Sequence, residues 1–511
     1  MKNSWLNSAV FYEVYPTSFR DSDKDGVGDL RGITERLETI REMGFDGIWI
    51  NACFASEFRD GGYDVTDYYR IDERLGTNQD LEELTQKAAR LGMKVLLDLV
   101  VGHTSDRHPW FLESCKAEKN KYSDYYIWTD DVFEHGVGCT TVNGVAERNG
   151  GYAINFFEFQ PALNFGFYQP ERPWQVRYDS DATKPLRDEI VSIIMFWLEK
   201  GVDGFRVDIA NSLVKGDRNA EGCAFVWNYI IGKVREKKPD VIFLAEWSNP
   251  SESVGKAGFD MDFLLHSTDE YNSLFRYEPF TNLSRIFEKG HSYFRKEGLG
   301  KISPFLGYYC REWGTVRERG YIAIPSGNHD LKRVSYGRSE RELKTIFAFL
   351  MTFPCVPFVY YGDEIGMPYT EGLKTKHGGY NRTGSRTPMV WNEGKNRGFS
   401  DSDQPLYLPV SEKAESFEKQ LRKKNSLLSC VRALIALRRI HPQLWADGPF
   451  SVDVSYEYPL RYTRGDIRVC IQPAERPCIA RDTVREILLS EGAEVSDGEI
   501  RMEGASFIIY R

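Results

Sequence analysis

The chain has 511 residues, of which 41% are hydrophobic, 14% aromatic and 28% charged. This length exceeds one ordinary hydrophobic core and predicts two or three packed units in a soluble globular protein. The formal net charge of −9 and the isoelectric point near 5.6 disfavour nucleic acids and anionic membranes as partners, because both require a basic face. A small neutral substrate suits this composition better.

No apolar run reaches the ~18 residues of a membrane-spanning helix. The N-terminal stretch MKNSWLNSAVFYEV lacks the features of a signal peptide, so we expect a cytoplasmic protein. The nine cysteines have no CxxC spacing, and neither a disulfide framework nor a zinc site is indicated.

Strand-like apolar runs alternate with amphipathic helix-like runs from the N-terminus to about residue 440. Such alternation is typical of parallel strands joined by crossover helices. The predicted strands are 9–19, 44–54, 94–103, 204–208, 241–247, 260–266, 321–330 and 357–366. They predict an α/β fold, a closed (β/α)8 TIM barrel of residues 1–103 and 184–444, with polar residues at the C-terminal strand ends where barrel active sites lie.

Two regions depart from this alternation. Residues 104–183 are rich in Gly, Asn, Tyr and Pro and are far longer than a usual strand-to-helix loop. They predict a small domain inserted over the C-terminal face of the barrel. Residues 445–511 contain short strand-like runs without helices, which predicts a separate C-terminal all-β domain.

The stretch GVDGFRVDIAN (201–211) places two charges in a strand that otherwise has a buried pattern. Arg206 and Asp208 are two residues apart, so their side chains point to the same face, where isolated charges are costly. One interpretation is a structural ion pair. The other is a functional site, since buried charges with perturbed pKa values often mark one.

Two further acids follow predicted strands. Glu246 ends the fifth strand, and Asp330, beside His329, ends the seventh, so with Asp208 they are expected to converge on one mouth of the barrel. Like charges held close together cannot all stay ionised, and one acid then has a raised pKa and can donate a proton. A carboxylate paired with a carboxylic acid is the apparatus of a retaining glycosidase. Arg206 is then expected to keep Asp208 ionised and oriented as a nucleophile.

Several spaced motifs resemble those of a known family, the alpha-amylase superfamily or glycoside hydrolase family 13. The motifs are DLVVGH (98–103), GFRVDIAN (204–211), LAEW (244–247), SGNHD (326–330) and, in the inserted region, QPALN (160–164). The resemblance implies Asp208 as the nucleophile, Glu246 as the general acid/base and Asp330 as the third acid, which binds substrate hydroxyls and stabilises the transition state.

The same resemblance implies further site residues. Arg206, His103 and His329 match residues that line the sugar subsites, and Asp98 matches a structural acid. The stretch GGYDV (61–65) resembles an aromatic platform of the family, in which Tyr63 stacks on the sugar and Asp64 forms hydrogen bonds nearby.

The chain also departs from the family pattern. Gly102 stands where an Asn usually precedes His103, and Ala162 replaces the usual Asp of the fifth region. The Lys-His pair that follows the nucleophile in endo-acting α-amylases is absent, which weakens an assignment as a starch depolymerase. The stretch GSRTPMVW (384–391) resembles one in the oligo-1,6-glucosidase and α-glucosidase branch, which implies short oligosaccharides as substrates.

The segment DSDKDGVGDL (21–30) has the spacing of a calcium loop. Carboxylates alternate at the first, third and fifth positions, a backbone carbonyl follows at the seventh, and an EF-hand is excluded because its twelfth position is Gly32. The alternative is a solvated acidic turn, but the oligo-1,6-glucosidase branch has a similar loop. Structural Ca²⁺ is therefore expected, with Mg²⁺ possible as a less well matched ion. The expected ligands are Asp21, Asp23, Asp25, Val27 through its carbonyl, and Asp29.

The leading hypothesis is a retaining α-glucosidase that acts on short α-glucosides through a covalent glucosyl-enzyme intermediate. The alternatives are a transglucosidase or isomerase of the trehalose synthase type, an oligosaccharide-acting α-amylase, and an inactive relative that serves as a binding protein. The residue after the nucleophile bears on linkage, since in the family a Val there accompanies α-1,6 cleavage. Here it is the β-branched Ile209, which favours isomaltose or panose over maltose.

Overall fold

The computed structural model describes residues 2–134, 138–265, 269–276, 290–377 and 382–511. Within this part of the chain, eight parallel strands close into a barrel, and each pairs with the strands before and after it. The barrel strands are β1 (Phe11–Val14), β2 (Gly47–Ile50), β3 (Lys94–Leu99), β4 (Gly204–Val207), β5 (Ile242–Ala245), β6 (Met261–Phe263), β7 (Tyr321–Pro325) and β8 (Val356–Tyr360). The predicted TIM barrel is confirmed.

Each barrel strand is shorter than its predicted run, because the polar residues at the end leave the sheet and form the loops above it. The prediction 321–330 illustrates this, since β7 ends at Pro325 and the polar stretch SGNHD follows it. The prediction 260–266 is also longer than β6, which ends at Phe263, and residue 266 lies outside the described residues.

Large apolar side chains fill the inside of the barrel. Phe11, Trp49, Leu96 and Phe263 belong to one buried cluster, and the rings of Phe11 and Phe358 stack with centroids 4.6 Å apart. The barrel is therefore a packed core rather than a pore, and a binding site has to lie at one of its ends.

The helices pack around the barrel, and polar residues fix where several of them begin. Thr77 and Asp80 form a capping box at one N-terminus, Ser339 and Glu342 form another, and Asp29 caps the first helix. The α-helices of the described residues are Leu30–Met43, Asn78–Arg90, Pro109–Ser114, Lys184–Glu199, Glu221–Arg235, Pro250–Ser253, Asp269–Phe275, Ser303–Val316, Glu340–Thr352, Phe417–Leu421 and Leu427–Ile440. None of them is long and apolar enough to cross a bilayer.

Small antiparallel sheets interrupt the barrel alternation. Phe54–Ser56 pairs with Val65–Ile71 after β2, and Thr141–Asn143 pairs with Gly151–Ala153 in the long segment after β3. That long segment also bonds back to the barrel, through a bridge between His103 and Ala162. Its chain therefore runs beside the C-terminal end of β3.

The C-terminal part is an antiparallel β-structure, as the sequence predicted. Its strands are Ser451–Asp453, Leu460–Arg464, Ile467–Gln472, Cys478–Arg481, Ile487–Ser496 and Glu499–Tyr510. It packs against the barrel helix Glu340–Thr352, where the hydroxyls of Thr352 and Tyr462 share a hydrogen bond of 2.5 Å.

Candidate active site

The three acids singled out in the sequence line one pocket at the C-terminal end of the barrel. Asp208 directly follows β4, and its N–H donates to the Leu99 carbonyl at 3.0 Å; Glu246 directly follows β5, and its N–H donates to Val207 at 3.0 Å. Both acids thus continue the barrel ladder by one residue, which fixes their backbone. Asp330 enters from the loop after β7. The three acids therefore meet at the end of the barrel where TIM-barrel active sites lie.

Arg206 is the centre of the charge network. Its side chain is fully buried, and one of its terminal nitrogens, Nη1, donates to Asp98 Oδ1 at 2.6 Å and to Asp208 Oδ1 at 3.0 Å. The other, Nη2, lies 2.8 Å from Glu246 Oε2. Asp98 and Arg206 are register partners on β3 and β4. The two charges in this otherwise apolar strand therefore belong to a network that reaches the pocket.

The pKa of Asp208 is raised well above its ordinary value, first by burial and then by the negative charge of Glu246, while Arg206 opposes the rise. The sequence led us to expect that Arg206 keeps Asp208 ionised. This effect is diluted, because one guanidinium is shared among Asp98, Asp208 and Glu246. Two carboxylates beside a single cation in a buried place favour the retention of one proton.

Asp330 has the opposite environment. Arg382 Nη1 and Arg386 Nη2 donate to its Oδ1 at 2.6 Å and 2.8 Å, and His329 Nε2 lies 3.4 Å from its Oδ2. Burial acts to raise the pKa of Asp330, but the two guanidinium groups outweigh it and hold this pKa well below its usual range. Asp330 is the acid that stays ionised, whereas Asp208 and Glu246 compete for one cation.

Tyr63 and His103 line the pocket, and His329 packs against the Tyr63 ring. The Tyr63 hydroxyl donates to Asp98 Oδ2 at 2.8 Å, and its ring stacks on His329 with centroids 5.2 Å apart. His103 Nε2 lies 2.9 Å from the Tyr63 carbonyl, and burial lowers the pKa of His103 to about 4. His103 is therefore neutral at neutral pH.

Asp64 lies behind the pocket, and the acid that lines the pocket from this loop is Asp60. The Asp64 carboxylate accepts from the Ser56 hydroxyl at 2.9 Å and from the N–H groups of Arg59 and Asp60 at 3.2 Å and 3.0 Å. All of these partners belong to its own loop, so Asp64 shapes the loop that carries Asp60. This differs from the expected hydrogen bonding beside the sugar.

Sequence reasoning missed a group of residues on the side of the pocket away from Arg206. Asp60 forms an ion pair with Arg382, which also contacts Asp330, and it accepts from Gln160 Nε2 at 2.7 Å. These residues come from three different loops, and only tertiary structure brings them together. The available signal was position, since Asp60 stands directly before GGYDV and Gln160 begins QPALN.

The acidic loop at 21–29 brings three carboxylates together. Single oxygens of Asp21, Asp23 and Asp29 lie within 4.8 Å of one another, and burial together with the neighbouring acids raises the pKa of Asp23 and Asp29. A cation would relieve this repulsion, and hard oxygen donors suit Ca²⁺. Asp25 is not part of this cluster, and its Oδ1 accepts from the Val27 N–H at 2.7 Å.

A family model described as "Alpha amylase, catalytic domain" matches residues 13–447. The chain belongs to the alpha-amylase family. This assignment confirms the resemblance inferred from the motifs, and the match includes all three acids and the acidic loop.

Relatives at similar distance carry different names. Oligo-1,6-glucosidase of Bacillus sp. (strain F5) is 30% identical over 495 residues, covering 86% of this chain and 93% of the relative. Maltase A2 of Drosophila melanogaster is 29% identical over 506 residues, covering 90% and 84%. Trehalose synthase/amylase TreS of Mycobacterium tuberculosis is 30% identical over 522 residues, covering 93% and 82%. The solved trehalulose synthase MutB from Pseudomonas mesoacidophila MX-45 superposes with a TM-score of 0.81 at 23% identity, over 99% of both chains.

Proposed function

We propose that this alpha-amylase family member is a retaining α-glucosidase that takes short α-glucosides by their non-reducing end. The observation that carries the proposal is the bridge through Arg206, which holds Asp208 and Glu246 on one guanidinium at the wall of a small pocket. Double displacement requires a nucleophile and a proton-donating acid that are held close together at one glycosidic bond. The names of the maltase and oligo-1,6-glucosidase relatives agree with this substrate class.

The first step cleaves the glycosidic bond. An Asp208 oxygen attacks the anomeric carbon, the bond to the leaving oxygen breaks, and that oxygen takes the proton of Glu246. A covalent glucosyl-Asp208 ester and a carboxylate at Glu246 result. In the second step Glu246 removes a proton from water, the water oxygen attacks the anomeric carbon, and the ester bond breaks to restore Asp208. Two displacements leave the anomeric configuration unchanged.

The contacts of Glu246 indicate which of its oxygens carries the proton. Its Oε2 lies 2.8 Å from Arg206 Nη2 and accepts from the Ile209 N–H at 2.9 Å. An oxygen that faces two N–H donors is a poor place for a proton. We therefore assign the transferable proton to Oε1, which leaves Oε2 as the acceptor.

Asp330 and Asp60 are proposed to hold the sugar. Asp330 is ionised beside two arginines and Asp60 is paired with Arg382, so each presents carboxylate oxygens that can accept from sugar hydroxyls. Hydrogen bonds of this charge-assisted type are stronger than neutral ones. If these bonds strengthen as positive charge develops at the anomeric carbon, they accelerate the reaction as well as bind the substrate.

Transfer to a sugar hydroxyl in place of water is the second candidate function. The relatives named trehalose synthase and trehalulose synthase favour it, and it uses the same ester intermediate. An oligosaccharide-acting α-amylase is the third alternative, and TreS carries "amylase" in its name. The three differ in the fate and length of the product rather than in the acids.

For the acidic loop we propose structural Ca²⁺ held by Asp21, Asp23 and Asp29, with the Asp25 carboxylate and the Val27 carbonyl completing the oxygen cage after a small rearrangement. Mg²⁺ is the less well matched alternative. Asp29 also caps the first barrel helix, so the bound ion would stabilise the start of that helix.

The test is product analysis with maltose, isomaltose, trehalose, sucrose and panose as single substrates. The glucosidase proposal predicts free glucose as the main product, released first as the α-anomer in proton NMR spectra. A disaccharide isomer as the main product would replace the proposal by the isomerase alternative. Product released first as the β-anomer would refute the retaining mechanism for all the candidates.

A further inference from the structure

The space beside Gly102, which precedes the pocket residue His103, is filled by neighbouring side chains. The φ of Gly102 lies outside the left-handed region, so other residues could adopt its conformation. A Cβ at this position would lie 2.6 Å from Asn155 Nδ2 and 2.9 Å from Ser212 Oγ, closer than packed atoms approach. Asn155 therefore occupies the space that a side chain at 102 would take.

Asn155 reaches this space from the inserted segment, two residues after the strand Gly151–Ala153. Its Nδ2 lies 3.2 Å from His103 Nδ1 and donates to Ser212 Oγ at 3.1 Å. Its Oδ1 accepts from Lys215 Nζ at 2.8 Å, and the same Nζ donates to the Ser212 carbonyl at 2.8 Å. One amide thus connects the loops after β3 and β4.

The polarity of these contacts determines the protonation of His103. The Lys215 ammonium can only donate, so the Asn155 oxygen faces it and the Asn155 amide nitrogen faces His103. Because that nitrogen can only donate, His103 Nδ1 is the unprotonated acceptor. Nε2 then carries the hydrogen and donates to the Tyr63 carbonyl at 2.9 Å, an oxygen that can only accept. These three contacts agree on one neutral tautomer.

We propose that Asn155 is a positioning residue of the active site, which replaces the side chain missing at Gly102 and fixes His103 as the neutral, Nε2-protonated imidazole against Tyr63. Lys215 orients the Asn155 amide. His103 and Tyr63, which Asn155 positions, both line the pocket. The inference rests on the proposed function insofar as this pocket holds the sugar. The assignment of the tautomer does not depend on the substrate.

Asn155→Asp tests the donor alone. The carboxylate keeps the size of the side chain and its contact with Lys215, but it offers no N–H to His103. An opposite charge next to Nδ1 favours the imidazolium. We expect the pKa of His103, about 4 in the wild type, to rise by at least about one unit, and kcat/KM to fall about 10-fold, since small misplacements at a site are costly.

The pKa and tautomer are measured by NMR on imidazole-labelled protein, with the His103 signal assigned by its loss in His103→Gln. Glu158→Gln is the matched control, because this exposed residue lies in the same segment; it should leave the His103 signal and kcat/KM unchanged. A wild-type His103 protonated on Nδ1, or an unchanged signal in Asn155→Asp, would overturn the proposal. A protein without glucosidase activity that still showed the expected NMR change would refute the proposed function and retain the tautomer assignment.

Exchanging the residues at positions 102 and 155 tests whether Asn155 takes the place of a side chain at position 102. Gly102→Asn alone should reduce kcat/KM about 10-fold or more through the clash with Asn155, and Asn155→Gly alone should do so through loss of the donor. The double variant Gly102→Asn with Asn155→Gly removes the clash with Asn155, leaves the close contact with Ser212 Oγ, and restores an amide next to His103, so we expect its kcat/KM to exceed that of either single variant. A double variant no better than the product of the two single losses would show that position 155 does not substitute for position 102.

Discussion

Arg206→Lys is the most informative perturbation of the site, because it keeps the positive charge and removes the bridge. The guanidinium contacts Asp98, Asp208 and Glu246 within 3.0 Å. A single ammonium on a flexible stem can retain one of these partners, so about two charged contacts are lost. At ~1.5–3 kcal/mol for each charged hydrogen bond, the barrier should rise by about 3–6 kcal/mol. This corresponds to a loss of about 10²- to 10⁴-fold in kcat/KM.

The pH dependence gives a second measure of the same variant. Arg206 opposes the rise in the pKa of Asp208, so a weaker contact lets this pKa rise further. The nucleophile is active only when ionised, and kcat/KM falls as pH drops through its pKa in the free enzyme. The acid limb of the kcat/KM profile should therefore move to higher pH in Arg206→Lys.

Arg438→Lys is the matched control for shrinking a buried guanidinium. Arg438 is fully buried in the helix Leu427–Ile440 and donates to the carbonyls of Met351, Cys355 and Leu444. We expect this control to lower thermal stability with kcat/KM within about 2-fold of the wild type. An Arg206→Lys enzyme that kept more than about a tenth of wild-type kcat/KM, with its acid limb unmoved, would refute the bridging role.

Four further outcomes are expected. Asp208→Asn and Glu246→Gln should each lower turnover of natural substrates by several orders of magnitude with unchanged circular dichroism. A variant that kept more than about a tenth of the wild-type rate would show that its residue has no such role in the mechanism. Chelation should lower the midpoint of thermal unfolding and added Ca²⁺ should restore it; no shift, with no calcium in elemental analysis, would leave only an acidic turn at 21–29. The wild type should prefer isomaltose or panose to maltose, and Ile209→Ala should move the ratio of kcat/KM toward maltose, since one or two methylenes in a pocket are worth ~1–3 kcal/mol. A wild type that prefers maltose, with a preference unaltered by the substitution, would contradict the role of Ile209. Asp60→Asn should raise KM or lower kcat about 10-fold or more by weakening the Arg382 contact, while Asp67→Asn, a change at a half-buried acid in the strand Val65–Ile71, should leave both unchanged.

The barrel could be predicted because each strand carries its own local signal, a short apolar run followed by polar residues. The positions of Asp208 and Glu246 followed from this directly, since both stand one residue beyond a strand. Their spatial relation also followed, because the C-terminal ends of parallel barrel strands meet at one face.

The far side of the pocket could not be predicted from the same signals. Asp60, Gln160 and Arg382 lie in irregular loops, where no periodicity fixes the direction of a side chain. Asp64 was expected at the pocket, but Asp60 lines it, and this difference also arises in an irregular loop. A tight turn decides which of the two nearby carboxylates bonds to backbone N–H groups. The place of Asn155 next to Gly102 depends on a contact between segments more than fifty residues apart in the sequence.

The charge sharing at Arg206 also lay beyond sequence reasoning. The pattern indicated an Arg206–Asp208 pair, and the register of β3 and β4 adds Asp98 while the next strand adds Glu246. A three-way contact changes the electrostatics, because a cation shared by three acids cannot hold each of them fully ionised.

The covalent bond between Asp208 and the sugar can be detected by mass spectrometry of the enzyme after reaction with an activated fluorinated α-glucosyl substrate that slows hydrolysis of the intermediate. We expect an increase in mass by one fluoroglucosyl unit, located by peptide fragmentation on Asp208, and no increase in Asp208→Asn. An adduct on Glu246 or Asp330, or turnover of this substrate with no adduct at any acid, would contradict the assignment of Asp208 as the nucleophile.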